Sequence, residues 1–511
     1  MGKSMSQLKA GAFLSYAQMA LNILISVVYT PVMLRILGQS EYGLYNTVAS
    51  TVSTMSILSL GLNSGYIRYF SKYKKDNNMT AIYKLNGLFI LIFSVIGLIT
   101  LVCGFFLTTN LNFIFDNGLT QSEYSTARIL MILLTVSLAV SFPAGIFAHI
   151  ISANERFVFL KLLGMVKTVV GPLVTLPLLL LGYGSIGMVL VSLFVSVVTD
   201  GIYFYYVIKV LKQKFYFYDF EKGIFKSLFV YTGFIALNLI AEQINHSIDK
   251  VLISRYLGTE MTAVYAIGHM LYTYYTSFSL AISGVFTPRV HNVINTTEDN
   301  KSEQHIQLTE LFVRVGRIQF IVLALLASGI FIFGKEFIVF WAGEGYEQSY
   351  YVVLLLVIPA LIPLTQNIGI DVQRAMNNHQ FRGVAYFIMS LINLVLTIVL
   401  TPKYGVVGAT IGTAISLVIG NIILMNIFYH KKCNINILDY WKNILFMVKG
   451  LVIPIASGIL VKQFISFNTI PLLIAGIAVY CCIYAGSVWL FTMNKYEKGL
   501  VLSPIKKVLK R

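Results

Sequence analysis

Residues 229–258 read FVYTGFIALNLIAEQINHSIDKVLISRYLG, and this stretch decides the class of fold. It is long and apolar enough to cross a bilayer, which takes about 20 residues of helix. Its polar residues recur at steps of four, three, one, three and one, which is the spacing of a single face of an α-helix. These residues are Asn238, Glu242, Asn245, His246, Asp249 and Lys250. The stretch therefore predicts a membrane helix with one polar face.

This polar face cannot contact lipid. A charged side chain at the centre of a membrane helix costs about 2.5–3.5 kcal/mol of insertion free energy, and a Leu or Ile returns only about 0.3–0.6 kcal/mol. One interpretation is a buried structural network, in which Glu242 pairs with a lysine elsewhere. The other is a wet cavity for a substrate or a coupling ion. We favour the cavity, because charge inside a membrane usually marks a transport pathway.

The composition extends this interpretation to the whole chain. Of 511 residues, 57% are hydrophobic and 12% are charged, against about 45–50% and 25% in soluble domains. This composition excludes a soluble enzyme, a disordered protein and a nucleic-acid-binding domain. The net charge of +17 does not indicate a nucleic-acid partner, because the basic residues fall in short segments between apolar runs.

About fourteen apolar runs are long enough to span a membrane. Their approximate positions are 11–33, 43–64, 86–108, 127–150, 158–181, 185–208, 227–254, 261–287, 313–334, 350–372, 381–401, 406–429, 444–464 and 470–493. They leave no room for a sizeable domain outside the membrane. The sequence predicts an all-α polytopic membrane protein whose lipid bilayer is itself a partner.

The placement of basic residues predicts the orientation. The connections on the side of the termini hold 29 Lys and Arg residues, and those on the opposite side hold six. Positive charge stays in the cytoplasm, so we expect both termini inside a bacterial inner or plasma membrane.

The chain also repeats itself. Arg35-Ile-Leu-Gly38 matches Arg255-Tyr-Leu-Gly258 at an offset of 220 residues, and Tyr45 then matches Tyr265. Tyr183-Gly184 matches Tyr404-Gly405, and Arg68 matches Arg289, both at an offset of 221. We therefore predict two six-helix lobes, 1–215 and 216–432, related by a pseudo-two-fold axis along the membrane normal. Residues 433–511 would add two helices and a basic cytoplasmic tail.

Further polar residues are candidates for the same cavity. Gln18 and Asn22 lie in the first run, the repeat partner of the seventh, so we expect the two polar stripes to face each other. Lys167 and Asp200 lie within the fifth and sixth runs; each would line the cavity, pair between helices or reach an interface. Arg68 and Arg289 would flank the cytoplasmic mouth and hold a diphosphate, or serve as ordinary positive-inside anchors.

No P-loop, HExxH, GxSxG or paired Cys/His metal motif occurs in the sequence. We therefore expect no enzyme activity, no cofactor and no metal site.

The sequence resembles a known family at three places. GAFLSYAQMALNILISVVYTPVMLRILGQSEYGLY at residues 11–45, LSLGLNSGYIRYFSKY at 58–73 and HSIDKVLISRYLGTEMTAVYAIG at 246–268 are similar to bacterial polysaccharide flippases. These belong to the multidrug/oligosaccharidyl-lipid/polysaccharide exporter superfamily, and the resemblance covers about residues 5–430. It implies a V-shaped, MATE-like bundle that works by alternating access.

The resemblance also implies a substrate, a polyprenyl-diphosphate-linked oligosaccharide moved from the cytoplasmic to the outer leaflet. If a Na⁺ or H⁺ gradient drives transport, Asp200, Glu242 and Asp249 are the candidate carboxylates. Other glycan assembly proteins are further candidate partners, and we expect a monomer. Three alternatives stay open: a cation-coupled multidrug exporter of the same superfamily, a membrane glycan polymerase or glycosyltransferase, and a non-transporting scaffold.

Overall fold

The structure is a computed structural model that describes residues 2–59, 61–115, 119–220, 223–297, 299–376 and 379–509. Within these residues every regular element is a helix, and no strand is found. The chain forms two compact units. The first comprises Met1–Ala266 and Tyr386–Ala409, and the second comprises Ile267–Ala385 and Thr410–Arg511.

The helices follow one another with short connections. Those of the first unit are α1 (Gly2–Thr54), α2 (Leu62–Lys75), α3 (Met79–Thr109), α4 (Asn112–Phe115), α5 (Gln121–Ala153), α6 (Phe157–Leu180), α7 (Gly184–Tyr205), α8 (Ile224–Gln243) and α9 (Asp249–Leu257). Two helices contribute residues to both units, α10 (Thr259–Thr296) and α14 (His379–Leu417). Those of the second unit are α11 (Lys301–Ala342), α12 (Ser349–Thr365), α13 (Ile368–Ala375), α15 (Met425–Lys432), α16 (Ile437–Phe464), α17 (Ile470–Phe491) and α18 (Lys495–Leu509).

Helix α3 shows why these helices belong in a membrane. Val95, Leu98, Val102 and Phe105 recur at steps of three and four, and each is more than half exposed. The opposite face is buried and includes Phe93. A helix that is apolar on its exposed face as well as its buried face has lipid as its solvent. The chain is accordingly a multi-pass membrane protein.

Each unit has its own apolar core. In the first unit, one core joins α2, α3 and α5 around Tyr66, Phe89 and Ile146. A second core packs Val48 of α1 against Met131 of α5. In the second unit, a core joins α11 to α17 through Phe333 and Tyr480, whose rings meet edge to face at 5.7 Å.

The repeat is visible in the backbone. Gly38 interrupts α1 with φ 75° and ψ 171°, and Gly258 ends α9 with φ 88° and ψ 177°. These two glycines are the repeat partners found in the sequence. A side chain would strain either conformation, which explains why glycine stands at both positions.

The described residues hold nine helices long and apolar enough to cross a membrane, or up to ten if the bent pair α12–α13 counts as one span. Two of the nine, Phe13–Lys75 and Gln380–Lys432, contain glycine breaks at Gly38 and Gly405. Helix α1 comprises two helices that meet at the kink at Gly38, and its 53 residues far exceed the roughly 20 residues of one bilayer crossing. Each of the two therefore has the length of two spans, and the total of fourteen stays a prediction.

The lobe boundaries also stay a prediction. The two compact units divide the chain within α10 and α14, whereas the predicted lobes divide it near residues 215 and 432.

Candidate substrate and ion site

The segment 229–258 contains an irregular turn. Between α8 and α9, residues Ile244–Ile248 form a π-helical turn. Such a turn holds one extra residue, which rotates everything beyond it by about 100° around the helix axis. The single polar face expected from α-helical spacing is therefore split. Glu242 and His246 are exposed, whereas Asp249 is only 1% exposed.

Glu242 and His246 line a cavity of about 240 Å³. The other lining residues are Ser56, Ile57, Ser59, Leu239 and Gln243. Asn238 lies one turn before Glu242 and is half-buried. The cavity thus offers a carboxylate, an imidazole, an amide and hydroxyl groups, which together can hydrogen-bond a polyhydroxylated substrate.

A hydrogen-bonded network fixes the wall of this cavity. The Nε2 group of Gln243 donates to Ser53 Oγ at 3.0 Å and to Ser247 Oγ at 2.6 Å. The two serine hydroxyls are themselves 3.0 Å apart. The π-helical turn is therefore held against the second half of α1.

Asp249 forms a second, buried group. Its Oδ2 accepts a hydrogen bond of 2.9 Å from the Tyr265 hydroxyl, and its Oδ1 accepts one of 3.2 Å from Thr397 Oγ1. Asn393 donates from Nδ2 to Asn245 Oδ1 at 3.2 Å. Tyr265, Thr397 and Asn393 are buried, and Lys250 is half-buried. A buried carboxylate is costly unless it is protonated or balanced by a cation, and the charges of Asp249 and Lys250 act on each other. The group therefore fits either a structural ion pair or a site for a coupling ion.

Lys167 and Asp200 lie on neighbouring helices. Lys167 donates from Nζ to Ser196 Oγ at 3.3 Å, and Ser196 is one turn from Asp200 on α7. The charge of Lys167 acts directly on Asp200. Of the interpretations left open by the sequence, this arrangement supports an interhelical pair between α6 and α7.

Gln18 and Asn22 contact α6. Asn22 Oδ1 accepts a hydrogen bond of 2.8 Å from Thr168 Oγ1. A Cβ at Gly164 would lie 2.6 Å from Gln18 Nε2, so this amide packs directly on the α6 backbone. The contacts of this stripe therefore fit helix packing as well as a cavity wall.

Arg68 and Arg289 belong to different units. Arg68 is exposed on α2, an amphipathic helix that buries Tyr66 and Phe70 and carries three lysines in its last turn. Arg289 is exposed on α10, in the second unit. Their joint role at a cytoplasmic mouth stays a prediction.

Sequence reasoning missed the partners of Asp249. Asn393, Thr397 and Thr401 recur at steps of four in the eleventh apolar run, and all three are buried. This stripe of uncharged polar residues was the available signal. Ser53, Ser56 and Gln243 were likewise not singled out.

Comparisons with known proteins bear on the identity of the chain. The family described as polysaccharide biosynthesis protein matches residues 8–294. A putative O-antigen transporter of Shigella flexneri is 20% identical over 426 residues, which cover 81% of this chain and 96% of that protein. An uncharacterized membrane protein of Bacillus subtilis (strain 168), EpsK, is 22% identical over 513 residues, covering 95% of this chain and 96% of that protein.

Solved structures show the same fold. The lipid II flippase MurJ in an inward closed conformation superposes with a TM-score of 0.67 at 17% identity, covering 94% of this chain and 98% of that one. An inward-facing multidrug resistance MATE transporter of the MOP superfamily gives 0.61 at 14% identity, covering 81% and 96%. At such identities the likeness concerns the fold alone.

The comparisons confirm the predicted all-α membrane fold and the predicted resemblance to proteins of polysaccharide biosynthesis. The matched segment, residues 8–294, is more than half of the 511-residue chain. The chain belongs to the polysaccharide biosynthesis protein family.

Proposed function

We propose that the chain moves a polyprenyl-diphosphate-linked oligosaccharide from the cytoplasmic to the outer leaflet by alternating access. The family and a relative named as a putative O-antigen transporter support a saccharide cargo. A fold shared with a lipid II flippase supports a lipid-linked one. The observation that carries the proposal is the polar cavity beside Glu242 and His246, which lies in a bundle of helices with apolar outer faces.

The residues of the cavity suit the sugars of such a substrate. Sugar hydroxyls both donate and accept hydrogen bonds, and they match the carboxylate of Glu242, the amide of Gln243 and the hydroxyl of Ser56. The diphosphate needs cations, for which Lys250, Arg68 and Arg289 are the candidates. We keep Gln18, Asn22, Asn238, Asn245 and Lys167 in the proposed lining.

Asp249 is the proposed ion-coupling residue. Hydrogen bonds from Tyr265 and Thr397 hold its two carboxylate oxygens in fixed directions. Hydroxyl and amide oxygens of Thr397 and Asn393 lie beside it, and such neutral oxygens together with a carboxylate suit Na⁺ or H⁺. Glu242 and Asp200 are the alternative coupling carboxylates.

In this proposal the chain acts as a monomer in a bacterial inner or plasma membrane, with both termini in the cytoplasm. Other glycan assembly proteins would supply the lipid-linked unit and use it after transport.

The test is a deletion strain of the source bacterium. Polyprenyl-linked glycans are extracted after labelling of surface-exposed sugars with a membrane-impermeant reagent. We expect unlabelled lipid-linked units to accumulate, and re-expression of the wild-type chain to clear them. Glu242→Ala should fail to clear them although the protein reaches the membrane. As a matched control, Ser185→Ala removes one hydroxyl from a hydrogen bond to Glu41 and should clear them as well as the wild type does.

An unchanged lipid-linked pool would contradict the proposal. If such a strain were instead more sensitive to cationic drugs, the chain would be a multidrug exporter, and Glu242 and Asp249 would be its drug or ion site.

A further inference from the structure

The two sequence repeats meet just beyond their paired glycines. Ser40 lies two residues after Gly38 on α1, and Thr259 comes directly after Gly258 at the start of α10. Their hydroxyl oxygens are 3.1 Å apart. Both residues lie on the predicted extracytoplasmic side, within the first unit. This contact therefore joins the outer end of the first repeat to that of the second.

A single carboxylate bridges the contact. Glu123 Oε1 accepts a short hydrogen bond from Ser40 Oγ and a longer one, 3.5 Å, from Thr259 Oγ1. Its other oxygen accepts from the backbone N–H and the hydroxyl of Thr120, at 2.9 and 2.8 Å. The Thr120 contacts form a capping box at the start of α5. The capping box thus orients the carboxylate from within the first repeat through Oε2. The other oxygen, Oε1, contacts Thr259 of the second repeat.

The backbones are in close contact beside this bridge. A Cβ at Gly43 would lie 1.7 Å from the carbonyl oxygen of Thr259 and 3.2 Å from the backbone nitrogen of Ala263. Only a residue without a side chain permits this approach. Gln39 donates from Nε2 to the Glu260 carbonyl at 3.4 Å, which adds a second link across the same contact.

We propose that Glu123 is the latch of an extracytoplasmic gate, holding Ser40 of the first repeat and Thr259 of the second together until substrate leaves on the outer side. The inference rests on the proposed function, because alternating access requires the outer ends of the repeats to separate. The latch consists of a few hydrogen bonds beside a close backbone contact, at the outer ends of α1, α5 and α10.

The first experiment measures the gate without measuring transport. Ser122 and Glu260 are exposed neighbours of Glu123 and Thr259. Spin labels are attached to Ser122→Cys and Glu260→Cys in an active variant whose four native cysteines are replaced. We expect one short distance in the otherwise native chain. Glu123→Ala should increase the population of a longer distance about tenfold, the factor for losing one charge-assisted hydrogen bond.

Ser125→Ala is the matched control. Its exposed hydroxyl donates to the Ser122 carbonyl on the same helix and has no hydrogen bond to Glu123, Ser40 or Thr259, so the distances should stay as in the native chain. Identical distance distributions for Glu123→Ala and the native chain would overturn the latch.

The second experiment locks the gate. A disulfide between Ser40→Cys and Thr259→Cys should arrest flipping in proteoliposomes, and a reductant should restore it. Oxidation should not change flipping by either single cysteine variant, because neither can form the disulfide. Undiminished flipping by the fully cross-linked protein would overturn the latch. If the native chain did not flip at all while the distances still responded to Glu123→Ala, the proposed function would fail and the latch would stand.

Discussion

The Tyr265 hydroxyl donates a 2.9 Å hydrogen bond to the buried carboxylate of Asp249, from a helix that also forms the proposed outer latch. Tyr265 lies six residues after Thr259 on α10, which is about 9 Å along the helix axis. A change in the charge of Asp249 therefore acts on the same rigid turns that carry Thr259. If Asp249 binds the coupling ion and Thr259 belongs to the outer gate, as proposed, α10 connects the two sites.

Tyr265→Phe should change ion coupling without blocking insertion. The substitution removes one hydrogen bond to the Asp249 carboxylate, which is worth about 1.5–3 kcal/mol. We therefore expect the concentration of the coupling ion for half-maximal flipping to shift about tenfold or more, and to fall if that ion is H⁺, because the carboxylate loses a donor that stabilises its charged form. Flipping is measured in proteoliposomes against each ion gradient. Tyr45→Phe, at the repeat-related position, is the control and should behave as the native chain. Equal ion dependence of the two variants would remove Tyr265 from the coupling site.

Asp249→Asn should abolish ion-dependent flipping. The amide has nearly the shape of the carboxylate and can still accept a hydrogen bond from Tyr265, but it carries no charge for a cation to balance. The protein should reach the membrane in normal amount. Retained dependence of flipping on an ion gradient would transfer the coupling role to Glu242 or Asp200.

Gly43→Ala should disturb the outer gate. The added Cβ would lie 1.7 Å from the Thr259 carbonyl oxygen, so the two backbones must separate. We expect the longer distance between labels at residues 122 and 260 to dominate, and flipping to slow. Gly145→Ala is the matched control, because a Cβ at Gly145 has no heavy atom within 4 Å. A short distance in the Gly43→Ala protein would contradict the close packing.

Glu497→Ala should destabilise the second unit. Arg317 donates to Glu497 through Nε at 2.6 Å and Nη2 at 2.9 Å, and both side chains are buried. Removal of one partner leaves a buried unpaired charge, which costs about 3–5 kcal/mol. Thermal unfolding in detergent measures the loss. Glu310→Ala breaks the exposed pair with Arg314 and should cost at most about 1 kcal/mol. Similar melting temperatures for the two variants would contradict this account of the buried pair.

The latch should open in acid only below the pH at which a glutamate ordinarily becomes protonated. Burial pushes the pKa of Glu123 upward, but hydrogen bonds from Ser40, Thr120 and Thr259 outweigh burial and hold the pKa below its usual 4.5. Because the pKa is lowered by the closed contact, stabilisation is fully present above pH 4.5 and is lost as pH falls through the lowered pKa.

Distances between labels at residues 122 and 260, measured from pH 8 to pH 3, test the direction of this effect. We expect no change between pH 8 and about pH 4.5, and opening below that. Glu123→Gln should remove the pH dependence. Opening between pH 8 and pH 6 would show that a different group controls the contact.

The sequence was sufficient for the helical class and the repeat, because both depend on local patterns. Hydropathy predicts membrane helices, and the matched glycines at 38 and 258 prove to share one backbone conformation. Gly38 also lies between the first two predicted runs, 11–33 and 43–64, and the two helices of α1 meet there at a kink.

The site was less predictable, for two physical reasons. The π-helical turn at Ile244–Ile248 rotates Asp249 away from Glu242, and α-helical spacing cannot anticipate an inserted residue. In addition, one hydrogen-bond partner of Asp249 is Thr397, which lies 148 residues further along the chain. Such a contact depends on how the helices pack, so an isolated polar stripe in an apolar run carries little information before the fold is known.

The most direct measurement is flipping by the purified chain. Proteoliposomes are loaded with a polyprenyl-diphosphate-linked oligosaccharide extracted from the source bacterium, and an impermeant sugar-oxidising reagent reports the fraction that reaches the outer leaflet. We predict that the native chain exposes inner-leaflet substrate under a Na⁺ or H⁺ gradient, and that Asp249→Asn leaves it protected. If the substrate is protected from the reagent equally in liposomes with the native chain and in liposomes without protein, the account is contradicted.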